Sequence, residues 1–567
     1  MHTILKDADR PWFAHYDSNV PRSLDYPDLT LYQMFDKARH DFASSTATIF
    51  YGSKHTYARI GADTDSFAGG LRRLGVTRGD RVAIMLPNCP QFIVAFYAIL
   101  KLGAVVVPTN PLYVERELEH QLNDSGAKVI VALDLLLSRI QNVRQKTSLQ
   151  HVILTSISEE MSPLYRILYR LKMRKQGVRA STEKMPDVIW FRELFDKTGA
   201  QNPKDEGHPD DLAMLQYTGG TTGLSKGAML THRNVVANVE QNVAWRSRDL
   251  TPGKNTIFCV LPFFHVYGLT GTLCCSVRVG ARMVLMPRFD VKDTLKAIHK
   301  YRPELFAAVP TILVSLNSYP DLDKYRLDSI KSCNCGAAPL PVEVLEQFQK
   351  RTGAKILEGY GLSEASPGTH SNPYSGMYKQ GSVGIPLPDT DSKIVDMETG
   401  ERELPVGEPG ELIILGPQVM KGYWNQPKET AAALRDGWLY TGDIAKMDSD
   451  GYFYIVDRKK DMIIAGGYNI YPREVDEILF QNPKIKEAVA VGIPDTYRGE
   501  TVKAFVVLKD GETATEDEII RFCRERLARY KAPTVVEFRS ELPKTLVGKI
   551  LRKALREEES KKQAQVK

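Results

Sequence analysis

The sequence predicts a mixed α/β chain. A large N-terminal domain holds two parallel-type α/β subdomains and a β-rich subdomain, and a small α+β domain follows it. Three observations predict this. The chain has 567 residues, several times a usual domain of about 150 residues. Two stretches alternate apolar strand-like runs with helix-period runs, the rhythm of parallel strands joined by crossover helices. From Gln380 to Val456 that rhythm gives way to short strands punctuated by Gly, Pro and Asp-Gly turns.

In the first stretch, 81–86 is a buried strand, 91–102 a helix, 104–107 a strand, 115–124 a polar helix and 128–132 a strand. The second stretch repeats the order through 256–261, 268–279, 281–286, 291–301 and 305–309, which predicts a second parallel sheet. Asp450-Gly451 lies between two β-like runs and reads as a hairpin turn requiring positive φ. Asp448 and Asp450 resemble the opening of a calcium loop, but the remaining ligand spacing is missing, so a turn is the reading. The charged stretch 458–461 marks a boundary. Beyond it lie strands at 487–491 and 502–508, then a helix opened by Thr515-Glu516-Asp517-Glu518, a capping box. The charged end from Arg556 to Lys567 reads as a fraying helix.

Composition narrows the function. With 43% hydrophobic and 25% charged residues the chain is of ordinary globular type, and its net charge of +6 is small for this length, which argues against an electrostatic nucleic-acid binder. Seven cysteines form no CxxC pair and read as reduced core residues. The first ten residues lack the order of a secretory signal. The apolar stretch 92–107 is interrupted by Lys101 and falls short of a spanning helix. The expected location is cytoplasmic, with peripheral contact at the inner face of the membrane.

Tyr217-Thr218-Gly219-Gly220-Thr221-Thr222-Gly223-Leu224-Ser225-Lys226-Gly227 is the most informative stretch. Its glycines let backbone approach an anion, and three threonine hydroxyls and a lysine supply donors. Phosphate binding is the natural reading. The Walker A ending is missing. Within it, Gly223-Leu224-Ser225-Lys226-Gly227 fits the G-x-S-x-G pattern of a serine esterase elbow, a rival that needs Ser225 at a strand-to-helix turn.

Here the chain is similar to the acyl-adenylate-forming enzymes, which include acyl-CoA synthetases, luciferases and nonribosomal-peptide adenylation domains. The Thr/Gly/Lys loop resembles their phosphate loop, with Ser225 where proline is usual. Glu358-Gly359-Tyr360-Gly361-Leu362-Ser363-Glu364 is similar to their Y-G-x-T-E motif, Ser363 keeping the hydroxyl of the usual threonine. Tyr440-Thr441-Gly442-Asp443 with Asp457-Arg458 resembles the pair of ribose contacts. Gly466-Gly467-Tyr468-Asn469 resembles the loop lining the tunnel of the thiol acceptor. Pro543-Lys544-Thr545-Leu546-Val547-Gly548-Lys549 resembles the terminal motif. The similarity runs from about Leu31 to about Leu555.

The resemblance implies ATP, Mg²⁺ and coenzyme A as co-substrates and cofactors. It assigns phosphate contact to Thr218, Gly219, Gly220, Thr221, Thr222, Gly223 and Lys226, adenine stacking to Tyr360 beside Gly361 and Ser363, and magnesium to Glu364. It assigns ribose to Asp443 and Arg458, the hinge to Lys460, the pantetheine arm to the Gly467 loop and adenylation chemistry to Lys549. A lysine suits that last task because a flexible point charge can bridge the attacking carboxylate and the α-phosphate. The implied domains are 1–457, a hinge at 458–461 and a mobile lid at 462–567.

The segment Leu261-Pro262-Phe263-Phe264-His265-Val266-Tyr267-Gly268 looks like the one carrying a gate beside the carboxylate, which points to His265. Gly336, Ala337 and Ala338 resemble the small residues that leave room for adenine and the acyl group. A basic amphipathic segment at 164–175, with no acid from Met161 to Thr182, suits an anionic membrane through Arg166, Arg170, Lys172 and Arg174. A lipid-dissolved substrate would give such contact a purpose, so a long-chain fatty acid is the expected acid and CoA the acceptor. An aryl- or medium-chain acyl-CoA synthetase would share every motif. An amino-acid adenylating enzyme would want an acidic partner for the amine, and a silent lipid-binding relative would want the charged site residues gone. A homodimer is left open.

Overall fold

The computed structural model describes residues 10–176, 188–195, 202–218, 225–338, 340–465, 468–495, 498–544 and 550–566, with side chains of the last helix to 562. Gly219, Gly220, Thr221, Thr222 and Gly223 of the glycine-rich loop, Gly467 and Lys549 therefore lie outside the described residues.

Among the described residues the N-terminal half builds two sheets. The seven strands of the first run in the spatial order Val188–Trp190, His151–Thr155, Val129–Leu133, Arg81–Met85, Val105–Pro108, Leu212–Thr218, Lys226–Thr231, all parallel except the last. The second has nine strands, six of them a parallel core of Lys355–Gly361, Ser332–Cys335, Leu305–Ala308, Thr256–Cys259, Arg282–Leu285 and Thr46–Phe50. Both predicted parallel regions are present. Thr46–Phe50 enters the second sheet from more than two hundred residues upstream of its partner Arg282–Leu285, a pairing that local periodicity cannot reveal.

The helix Pro90–Lys101 joins the layers. All twelve of its residues are buried; it is mostly apolar, and of its polar side chains Gln91 donates to Thr155 and Ser156 and Lys101 pairs with Asp65 at 2.5 Å. Just before it, Asn88 donates from Nδ2 to the carbonyls of Cys259 (3.0 Å) and Leu261 (2.8 Å) and accepts from the Phe263 N–H at 2.8 Å. One amide thus stitches a strand end of the first sheet to a strand end of the second. All seven cysteines are free and buried.

The β-rich subdomain is an antiparallel sheet of Asp391–Val395, Gly410–Leu415, Trp438–Met447 and Leu434–Arg435, with Phe453–Arg458 also on Trp438–Met447. Its Asp450-Gly451 turn has Gly451 at φ +81°. The Lys379 ammonium lies 2.7 Å from Asp448 and 2.6 Å from Asp450, so the acids that resembled a calcium loop face a lysine.

The C-terminal sheet orders Tyr468–Ile470, Ile463–Ala465, Gly499–Leu508 and Ile485–Asp495, with Val535–Phe538 on Gly499–Leu508. Thr515 and Glu518 close the capping box, each bond 3.2 Å long. The last helix, Arg552–Val566, does not fray at its start. Leu555 is fully buried, Arg556 pairs with Asp461 at 2.6 Å and Glu559 with Lys503 at 2.7 Å. Glu559 and Lys562 pair with the strands beneath it, and Arg556 with the segment 458–461.

The helix Pro163–Lys175 forms as predicted. Arg166, however, does not face outward with the other cations. It donates to the carbonyls of Ser158 (3.1 Å), Glu159 (2.9 Å) and Met161 (3.2 Å), because the preceding turn leaves those acceptors open beside it. No helix among the described residues is long and apolar enough to cross a membrane.

Candidate active site

In an open α/β sheet, ligands bind beyond the carboxyl ends of the strands. Four strands end at one cavity here. Leu212–Thr218 delivers Tyr217 and Thr218, Ser332–Cys335 delivers Asn334 to Ala337, Lys355–Gly361 delivers Gly359 to Glu364, and the segment after Thr256–Cys259 delivers His265 to Tyr267. The β-rich sheet closes the far side with Thr441, Asp443 and Arg458, and Lys460 completes it. The cavity volume is about 370 Å³. Ala338 is absent from the lining residues.

The glycine-rich stretch is the connection of an antiparallel hairpin, with Thr218 opposite Lys226 in register. Ser225 therefore runs into a strand. A nucleophile elbow needs a strand-to-helix turn, so the esterase geometry is absent. The Ser225 carbonyl lies 2.9 Å from His120 Nε2, and Tyr217 donates to Asp124 at 2.6 Å. Both partners sit on the helix Glu115–Ser125, which backs the hairpin.

Lys226 forms an ion pair with Glu429 and lies over the Tyr423 ring, 5.1 Å from its centroid. Tyr423 also donates to Glu364 at 2.7 Å. Lys226 and Glu364 thus meet through one aromatic side chain. Glu364 is a single carboxylate at the wall, and no group of three His, Cys, Asp or Glu among the described residues could cage a metal. That donor set fits Mg²⁺, which keeps waters and takes one or two carboxylates plus substrate phosphates.

At the opposite end, Asp443 and Arg458 are cross-strand partners in register. The guanidinium Nε lies 3.0 Å from Asp443, and Tyr360 donates to the same carboxylate at 2.6 Å. The Asp443 charge holds Arg458 protonated even more firmly than usual. Burial, with that same charge adding, raises the Tyr360 phenol well above its ordinary value, so it stays a donor. Gly361 permits the strand to end here, because a Cβ would lie 2.2 Å from the Pro367 carbonyl.

On the third wall, His265 Nδ1 accepts from the Tyr267 N–H at 3.2 Å. Burial lowers its pKa to about 4, so the ring is neutral at physiological pH with its hydrogen on Nε2. Gly336 packs against Gly359, whose carbonyl would be 3.1 Å from an added Cβ. Ala337 holds φ +69°, an uncommon conformation for a residue with a side chain.

Lys460 is partly desolvated, and burial followed by the nearby Arg458 charge lowers its pKa. Its carbonyl accepts from Arg556 at 3.0 Å, which ties the segment 458–461 to the last helix. Sequence reasoning placed Thr218, Lys226, His265, Gly336, Ala337, Tyr360, Gly361, Ser363, Glu364, Asp443, Arg458 and Lys460, and all of them line this cavity. It missed Tyr423 and Glu429, which carry no motif of their own, and His370, a buried lining residue whose pKa burial lowers to about 3.

Comparison with known proteins agrees with this architecture. Residues 35–424 match the AMP-binding enzyme family, and residues 474–549 match the AMP-binding enzyme C-terminal domain. A long-chain-fatty-acid–CoA ligase of Bacillus subtilis is 49% identical, over 98% of this chain and 99% of its own. One from Escherichia coli is 42% identical, over 96% and 98%. Among solved structures, an anthranilate CoA ligase in complex with anthranoyl-AMP superposes with a TM-score of 0.83 at 26% identity, covering 96% of this chain and 99% of that one. Both segments of the pattern occur in order along one chain and its relatives span nearly all of it, so the protein belongs to the AMP-binding enzymes.

Proposed function

We propose that the protein is a long-chain fatty acid–CoA ligase. It joins a fatty acid to ATP, releasing pyrophosphate, and passes the acyl group of the resulting acyl-AMP to coenzyme A. One observation carries this reading: Asp443 and Arg458, Lys226 and Glu364, and His265 with Gly336 line three walls of a single cavity. The full-length identity to ligases named for long-chain fatty acids supports the acid class.

In the first step a carboxylate oxygen bonds to the α-phosphorus as the bond to the pyrophosphate oxygen breaks. In the second, the coenzyme A thiolate attacks the acyl carbon and AMP leaves. The substrates supply both nucleophiles, so the protein's task is positioning and charge stabilisation. Tyr360 offers its ring to adenine while its hydroxyl holds Asp443. Asp443 accepts from the ribose hydroxyls, and Arg458 donates beside it. Lys226 and Thr218, with residues 219–223, surround the phosphates. Glu364 would hold Mg²⁺, which supplies neutralising charge to the phosphates when bound. The neutral His265 closes the acid side without adding a cation.

The segment 458–461, with Lys460 as pivot, divides domain 1–457 from domain 462–567. Lys549 serves adenylation and the Gly467 loop serves thioester formation. Contact with the inner face of a membrane delivers the acid.

Acid-dependent pyrophosphate release tests the reading across short, medium, long and aromatic acids, with and without coenzyme A. Long-chain acids give the highest kcat/KM. A preference for aromatic acids overturns the substrate class, and release independent of acid overturns the reaction.

A further inference from the structure

A surface helix normally turns its apolar stripe toward the core. The helix Pro163–Lys175 does the reverse: none of its residues is buried. At about 100° per residue, Leu164, Ile167, Leu168 and Leu171 share an arc of about 100°. They are 65%, 58%, 52% and 53% exposed. The opposite side carries Arg166, Tyr169 and Met173, all half-buried. Arg166 is bonded to three carbonyls, Tyr169 packs against the main core, and the Tyr165 ring lies 5.8 Å from that of Tyr51. The helix is therefore pinned to the body with its apolar stripe outward.

Charge selects the occupant. Arg170 and Arg174 flank the stripe on one side, Lys172 on the other, and Lys175 ends it; all four are exposed. No acid occurs between Glu160 and Glu183. The two acids just before the helix are already paired, Glu160 with Arg192 at 2.5 Å and His55 at 3.2 Å, and Glu159 with Arg192 at 3.3 Å. A second copy docked on this face would set cations against cations. An apolar stripe between cationic flanks instead matches the layering of an anionic bilayer, with acyl chains below and phosphates at flank height.

We propose that Pro163–Lys175 is an interfacial anchor that lays the protein on an anionic lipid surface with Leu164, Ile167, Leu168 and Leu171 inserted. It rests on the ligase reading for its purpose, since a long-chain acid dissolves in the same layer, and on the surface geometry for its substance. Arg166 plays no part in lipid contact, because its guanidinium serves the body.

Cosedimentation of the full chain with vesicles tests it, using phosphatidylcholine mixed with phosphatidylglycerol against phosphatidylcholine alone. The protein binds the anionic vesicles, and binding falls about tenfold or more on pure phosphatidylcholine. The double variants Ile167→Ser/Leu171→Ser and Arg170→Glu/Arg174→Glu each lose about tenfold or more. Both keep the wild-type melting curve and the wild-type rate on acid presented in detergent micelles. Undiminished vesicle binding in both variants overturns the proposal. So does loss of self-association in the stripe variant with vesicle binding kept, which assigns the stripe to a protein contact. Vesicle binding without AMP production from any acid defeats the ligase reading and leaves the anchor standing.

Discussion

The two ends of the cavity hold their charges differently. At the ribose end, Asp443 and Arg458 face each other across a strand ladder, and Tyr360 reaches over from the second sheet to the same carboxylate. Every partner there is a fixture of two sheets. At the phosphate end, Lys226 stands at the mouth of a hairpin loop and pairs with Glu429, which is 48% exposed on its side chain. Glu429 is a carboxylate where the reading puts phosphates. The contrast teaches that one end is preorganised and the other is held in reserve: on the proposed reading a nucleotide would join the first network but would have to displace Glu429 from the second.

The largest effect is expected at the fixed end. Asp443→Ala leaves Arg458 and the Tyr360 hydroxyl without their shared acceptor, and kcat/KM for ATP should fall by about a hundredfold or more. Steady-state kinetics with saturating acid checks it. A loss under about fivefold would deny that this network is the preorganised one. Lys226→Ala comes next, with a loss of about tenfold to a hundredfold concentrated in the adenylation half-reaction, measured as acid-dependent pyrophosphate release.

Tyr423→Phe removes one hydrogen bond to Glu364 while keeping the ring beneath Lys226. About fivefold in kcat/KM is expected, seen in titrations of ATP and Mg²⁺. The smallest effect has the opposite sign. Glu429→Gln frees Lys226 from an exposed counter-charge, so KM for ATP should drop by about twofold to fivefold. A rise in KM would show that Glu429 assists the nucleotide and would remove the contrast between the two ends.

His265 supplies a pH check on the third wall. Its folded-state pKa, near 4 because of burial, lies below the ordinary 6.5. The stability gained from burying it neutral is therefore complete above about pH 6.5 and is lost as pH falls through 4. An imidazole resonance followed by NMR should titrate near 4 in the folded protein and vanish in His265→Gln. Titration near 6.5 would contradict the neutral gate.

Much of this was legible in sequence where a signal is local. The βαβ runs beginning at Arg81 and Thr256 announce parallel strands by periodicity, and the helix Pro90–Lys101 lies within one residue of the predicted 91–102 at each end. Thr218 and Lys226, Tyr360 to Glu364, and Asp443 with Arg458, which meet at one cavity, were legible as motifs, because backbone approach and charge need particular side chains at fixed spacing. Non-local facts were not. Thr46–Phe50 pairs with Arg282–Leu285 through tertiary packing alone. Tyr423 and Glu429 acquire meaning only when the β-rich subdomain folds against the hairpin. In the helix Pro163–Lys175 periodicity shows a stripe but not which way it faces. The bonds of Arg166 to the preceding turn, with Tyr169 packed on the core and Tyr165 against Tyr51, fix it outward.

The central claim is that the acid is activated as a mixed anhydride with AMP, and isotope transfer tests it most directly. A long-chain acid labelled with ¹⁸O in both carboxylate oxygens is turned over with ATP and coenzyme A, and the products are weighed by mass spectrometry. One labelled oxygen should be found in each AMP, because the oxygen that bonds to the α-phosphorus stays there when the thiolate takes the acyl group. Unlabelled AMP, or ADP with the label in inorganic phosphate, would contradict it.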